Sequence, residues 1–129
     1  MEDRYLFKAK RFDNGEWLQG YLIYSFTGIP IIVTEYDHIL MLVIRYEVDL
    51  KTICQCTGLK DKNGKLIWEN DIMKYQWDGK TRIDVVKYEP PLFTYSKAVR
   101  WDLGADEVIG NIFDNPELLE SEETENDRA

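Results

Sequence analysis

The side chains best suited by type to acid–base or metal chemistry are the carboxylates of residues 57–73, TGLKDKNGKLIWENDIM. Asp61, Glu69 and Asp71 are the densest acidic group there. Two carboxyls converging in a cleft could serve as general acid and base, or hold a cation for hydrolysis. Spacing alone does not make them converge, and turn chemistry already accounts for each. Asp61-Lys62-Asn63-Gly64 is a tight-turn sequence, because Asn and Gly accept positive φ at little cost. Glu69-Asn70-Asp71 punctuates the chain again, with Asn70 the non-glycine type most tolerant of left-handed backbone. No catalytic residue is assigned.

Cys54 and Cys56 form a C-x-C pair with no other cysteine in the chain. On a strand the two share a face, with Cβ atoms too far apart for a disulfide. A metal would need more ligands, and the sole histidine, His38, reads as a solvated turn residue. Two buried or half-buried thiols are expected, with no metal and no cofactor. No nucleophile-elbow, phosphate-loop or zinc-protease motif occurs, so the chain reads as no enzyme.

Basic and aromatic residues alternate in the C-terminal half: Lys74, Tyr75, Trp77; Lys87, Tyr88; Tyr95, Lys97, Arg100, Trp101. Single-strand-binding barrels combine a basic groove with stacking aromatics. Here the period of two puts the lysines mostly opposite the aromatics, which favours aromatics in the core and lysines in solvent. Lys74, Lys87, Lys97 and Arg100 are the candidate partner-binding residues.

The elements that must position these groups read as strands. Residues 5–12 and 16–25 pair across Asp13-Asn14-Gly15, an Asn-Gly hairpin turn, with Trp17, Tyr21 and Ile23 on one face. Residues 31–36 are β-branched and strand-like, and 39–44 fit either a strand buried on both faces or a short helix, with length and flanking turns favouring the strand. Asp49 is placed to cap a single helical turn. A small hairpin is expected around residues 61–64. Strands follow at 72–77, 81–88, 92–101 and 107–111, with turns at Asp78-Gly79-Lys80 and Asp102-Leu103-Gly104 and a break at Pro90-Pro91. Asn115-Pro116 starts a helical turn. The expected fold is all-β with short helical turns: an N-terminal β lobe over 1–53, a small SH3-like barrel over 54–119, and a disordered acidic tail over 120–129.

The run TGLKDKNGKLIWENDI resembles the signature of the YopX-like family of phage and prophage proteins. Asn70 stands where that family usually has Gly, a change that keeps positive φ feasible. The likeness extends to Tyr46-Glu47-Val48-Asp49 and Thr52, to residues 107–119 (EVIGNIFDNPELL), and to Phe7-Lys8-Ala9-Lys10-Arg11, Asn14-Gly15-Glu16-Trp17 and Gly20-Tyr21. It implies a mostly β accessory protein of mobile elements and carries no established activity.

Composition bounds the rest. With 129 residues, 44% hydrophobic and 13% aromatic, the chain has enough apolar material for a packed domain or two small lobes. The longest apolar run, residues 39–44, is strand-sized, so no membrane span is expected, and the N-terminus lacks the apolar stretch of a signal peptide; a cytoplasmic address follows. Net charge is −8, and Glu117, Glu120, Glu122, Glu123, Glu125 and Asp127 against Arg128 place most of it after Pro116. The body is only mildly acidic, which weakens a charge-based nucleic-acid reading. A non-enzymatic protein-interaction or structural module is expected, with a nucleic-acid-binding accessory factor as the alternative. Expected partners are a host or phage protein and further copies of the chain, joined through the N-terminal lobe because its strand edges need cover.

Overall fold

The computed structural model describes residues 5–90, 92–97 and 102–120. The chain divides into two compact units, Met1–Cys56 and Thr57–Ala129, against an expected boundary after Ile53.

In the first unit, β1 (Phe7–Lys10), β2 (Trp17–Tyr24), β3 (Pro30–Asp37) and β4 (Leu42–Glu47) form an antiparallel sheet in the order β4-β3-β2-β1. β1 also pairs with the start of β5 (Cys54–Lys60), Phe7 opposite Gln55 and Lys8 opposite Cys54. The β1–β2 turn closes as its sequence demands, with Gly15 at φ 74 and its N–H donating to Arg11. Registers put Phe7, Ala9, Leu18, Gly20, Leu22 and Ile32 on one face. That face is the core: Ala9, Ile32 and Val48, with Phe7, Leu18, Leu22 and Ile53 packed against them. Gly20 is obligatory, since a Cβ there would lie 2.1 Å from the Val33 carbonyl oxygen. Trp17, Tyr21 and Ile23 do share a face, and it is the outer one.

The strand expected at 39–44 is displaced. Asp37 Oδ1 accepts the N–H groups of Ile39 (2.9 Å) and Leu40 (3.1 Å), and Met41 takes φ 55. This side-chain capping prolongs the turn through Met41, so β4 begins at Leu42 and runs through Arg45-Tyr46-Glu47. Ile39, Leu40 and Met41 are exposed instead of buried on both faces. His38 lies in the same turn. Past β4, an isolated bridge joins Arg11 to Val48, and Asp49 caps a 3₁₀ turn at Leu50–Thr52 by accepting from Lys51 N at 3.0 Å.

In the second unit the end of β5 neighbours β6 (Leu66–Trp68), where Thr57 Oγ1 donates to the Ile67 carbonyl. A four-stranded antiparallel sheet follows in the order β10-β7-β8-β9: β7 (Asp71–Trp77), β8 (Lys80–Glu89), β9 (Leu92–Tyr95) and β10 (Glu107–Asn111). Asp78 and Gly79 both take positive φ, the two-residue turn that fits strand twist. The sheet is open, with β10 and β9 as its edges, which corrects the expected barrel over 54–119. β9 ends at Tyr95, not near residue 101, because the backbone after it is captured by Asp84; residues 98–101 of the expected strand lie outside the described ones. The core joins Ile67, Met73, Tyr75, Val86, Tyr95 and Leu103, with Phe93 and Val108 against it. Tyr75 and Tyr95 stack at 4.5 Å between ring centroids. Past β10 a helical turn occupies 117–120, and of the expected acidic tail only Glu120 is described.

Candidate functional site

The central carboxylates hold loops. Asp61 follows β5 and is buried. Its Oδ1 accepts the N–H groups of Asn63 and Lys65, both at 2.9 Å, and its Oδ2 accepts Val108 N–H at 3.0 Å. Lys62 N–H donates to the Asp106 carbonyl, so the 61–64 turn is fastened to the start of β10 at two points. Burial pushes the Asp61 carboxyl up, but the three amides and nearby Lys65 outweigh it and hold it below the ordinary carboxylate value. Asp71 accepts Trp68 N–H at 2.8 Å, and Asn70 takes the left-handed backbone, φ 72. Among the described residues no three His, Cys, Asp or Glu side chains gather as a metal site requires.

Two more buried carboxylates were not singled out from the sequence. Asp84 lies on the core face of β8 and accepts Val85 N–H (2.7 Å), Ser96 Oγ (2.6 Å) and Lys97 N–H (2.9 Å). Asp106 accepts the Tyr95 hydroxyl. A signal for Asp84 existed: a lone Asp between Ile83 and Val85-Val86 is depleted in strands unless something holds it there.

The candidate lysines do not converge. Lys74 is exposed on β7, opposite Ile83. Lys87 shares that face four residues along β8, roughly 13 Å away at strand rise, and its Nζ donates to Asn70 Oδ1 at 2.9 Å. Lys97 follows β9 with its backbone on Asp84. Arg100 and Trp101 lie outside the described residues. Lys74 lines a recess of about 230 Å³ with Lys62, Gln76, Asp106 and Glu107 among others. Its rim carries one loose ion pair, Lys62 Nζ to Glu107 Oε2 at 3.7 Å. With Asp106 bonded to Tyr95, the recess offers no paired acid and base.

The first unit presents a different surface. Among the described residues, every exposed large apolar side chain except Leu59, Trp77 and Tyr88 belongs to it. Registers place Trp17, Tyr21 and Ile23 of β2, Ile31 and Val33 of β3, and Val43 and Arg45 of β4 on the face away from the core, joined by Tyr36 opposite Val43. Tyr21, Ile23, Tyr36 and Val43 are 46%, 41%, 66% and 45% exposed. At the β1 end of this face, Lys8 and Lys10 hold their Nζ atoms 4.8 and 5.3 Å from the Trp17 ring centre. An antiparallel sheet normally turns polar side chains outward on its second face; this one turns apolar ones. The sequence reading grouped Trp17, Tyr21 and Ile23 correctly, and it took the register to show which way they face.

Residues 7–120 match the family model described as YopX protein. The chain belongs to the YopX protein family. The run TGLKDKNGKLIWENDI, within that span, builds the Asp61 turn and the Asn70 corner. Among curated proteins nothing matches. The crystal structure of protein EF1440 from Enterococcus faecalis is similar, with a TM-score of 0.60 and 25% identity over 88% of this chain and 96% of that one.

Proposed function

We propose that this YopX-family chain is a non-enzymatic protein-interaction module, used by a phage or prophage in the cytoplasm of a bacterial host. The observation that carries the reading is the outer face of the first unit, where aromatic and β-branched side chains stand in solvent over three adjacent strands. Exposed apolar patches of this kind mark surfaces that become covered. In the second unit the buried carboxylates are engaged by backbone and hydroxyl donors, which supports a structural role for them over a catalytic one. Among the described residues no helix is long and apolar enough to cross a membrane.

Nucleic-acid binding is the second reading, and one observation favours it: Lys8 and Lys10 over Trp17, beside Tyr21, give a short cationic and aromatic strip. Against it, Tyr75 and Tyr95 stack inside the core and cannot receive bases, and Lys74 lies on the other face of β7.

The test is recovery of partners from infected cells with the wild-type chain and with Tyr21→Ser/Ile23→Ser, each with and without nuclease. A protein partner that survives nuclease and is lost with the double variant is the expected result. Recovery that vanishes with nuclease, together with salt-sensitive binding of purified protein to a single-stranded oligonucleotide, would replace this reading with the second one.

A further inference from the structure

We propose that the outer edge of β4 pairs with the same edge of a second copy, joining two first-unit sheets antiparallel about a twofold axis at Ile44. The proposal rests on the interaction-module reading and names a partner for it, a second copy of this chain.

β4 is the last strand of its sheet, paired with β3; on its other side Arg11 and Phe12 reach only its end, at Glu47 and Val48. Among the described residues the other sheet edges are guarded. β9 has four residues and follows Pro90, β6 has three, and β10 is broken by a bulge between Val108 and Gly110. β4 has six residues, with no proline and no glycine, and the bulge in its ladder falls between Val33 and Glu35 of β3. Unguarded edges of this length recruit another strand.

The hydrogen bonds show which groups face outward. Val48 N–H donates inward to the Pro30 carbonyl, while the Glu47 carbonyl accepts Phe12 N–H from the opposite side. In an antiparallel ladder the direction alternates, so Arg45 and Val43 also turn N–H and C=O away from β3. The Ile44 carbonyl points the other way, where Thr34 Oγ1 reaches it at 3.3 Å. Val43 and Arg45 thus flank Ile44 with two donors and two acceptors on the outer side.

One self-pairing satisfies all four. With Ile44 opposite its own copy, Val43 and the copy's Arg45 exchange two hydrogen bonds, and the symmetric pair exchanges two more. Leu42 then faces the copy's Tyr46, apolar against apolar. Sliding by one pair sets Arg45 against Arg45 and calls on a Glu47 carbonyl already taken by Phe12. The same geometry brings Met41 of one copy to the Phe12 end of the other, and these two are 84% and 69% exposed. Such a contact is isologous and closes as a dimer.

The charge at Val43 makes the test specific, since that side chain would stand opposite the copy's Arg45. The full chain is measured by sedimentation from roughly 1 to 100 µM, a range that spans ordinary weak-to-moderate association. Wild type should sediment at twice 15.3 kDa. Val43→Lys, with like charges opposed twice, should raise the dissociation constant about tenfold or more. Val43→Glu should stay dimeric, and Val43→Lys/Arg45→Glu should restore the dimer. Val43 is exposed, so circular dichroism should be unchanged in each variant. Amide exchange at Val43 and Arg45 should slow as concentration rises. A wild type that stays monomeric at the top concentration, lysine and glutamate variants that dissociate alike, or exchange indifferent to concentration would each overturn the proposal. A monomer that still captures a nuclease-resistant partner through Tyr21 and Ile23 would sink the dimer and leave the interaction-module reading standing.

Discussion

Removing the Asp61 carboxylate tests whether the family turn is held by that group or only decorated by it. Asp61→Ala strips acceptors from Asn63, Lys65 and Val108 N–H, three backbone donors that sit at 2.9, 2.9 and 3.0 Å from its oxygens. A hydrogen bond to a charged acceptor contributes about 1.5–3 kcal/mol, and a stranded buried donor costs about 1–3 kcal/mol. The 61–64 turn is exposed and can hydrate two of the three, so the net loss should be about 3 kcal/mol, short of the simple sum. Asp61→Asn keeps one acceptor oxygen and turns an amide NH₂ toward a donor, so about half that loss is expected. In urea, with an m-value near 1.5 kcal/mol/M for a chain of this size, the alanine variant should unfold about 2 M earlier at unchanged slope. A loss below about 0.5 kcal/mol would refute the reasoning, since that is the range of an ordinary surface change. The pH dependence has a definite sign. The folded carboxyl titrates below its unfolded value, so its contribution is complete above about pH 4 and fades as pH falls through the folded pKa. The gap between wild type and Asp61→Ala should stay level from pH 5 to 8, in a window of about three units, and narrow only in acid.

Asn70→Gly should be close to neutral, because glycine relieves the φ of 72 while losing the Lys87 bond at 2.9 Å; Asn70→Val should cost about 1 kcal/mol or more in a denaturant titration, and a stabilised valine variant would contradict the corner. Gly20→Ala drives a Cβ to 2.1 Å from the Val33 carbonyl oxygen, so a loss of about 2–3 kcal/mol is expected by thermal melting, with an unchanged midpoint as the refuting result.

What was legible in the sequence was local. Asn14-Gly15, Asp61 to Gly64, Asn70 and Asp78-Gly79 are positions where residue type alone selects positive φ, and the chain turns at each. The C-x-C pair is buried, as a same-face strand pair can be. Two things were not legible. The first was the start of β4. An apolar run reads as strand, but a single Asp37 oxygen accepting two amides outcompetes it and leaves Ile39, Leu40 and Met41 in a turn. The second was Asp84. Period-two reading sorted its neighbours by face and passed over this buried carboxylate on the core side, whose partners, Ser96 and Lys97, are twelve and thirteen residues away in sequence.

The candidate lysines show why a pattern of residue types overstates a site. Lys74 and Lys87 share a face of one sheet but are spread along it, and Lys87 is already bonded to the Asn70 corner. In the second unit polar groups are largely consumed by architecture: Asp61, Asp71, Asp84 and Asp106 each hold a backbone or hydroxyl donor. Stacking Tyr75 and Tyr95 inside and engaging these four carboxylates removes them from recognition. The first unit does the opposite with a similar composition. Its core takes Ala9, Ile32 and Val48 with Phe7, Leu18, Leu22 and Ile53 against them, and Tyr21, Ile23, Tyr36 and Val43 are left on the far face, with Leu42 at the β4 edge and Phe12 and Met41 in turns. Exposed apolar area of that kind opposes solubility unless something covers it, whereas the exposed lysines of the second unit carry no such demand. The contrast follows from which face each strand's alternation addresses: the second unit turns Tyr75 and Tyr95 inward, and the first turns Tyr21, Ile23, Tyr36 and Val43 outward.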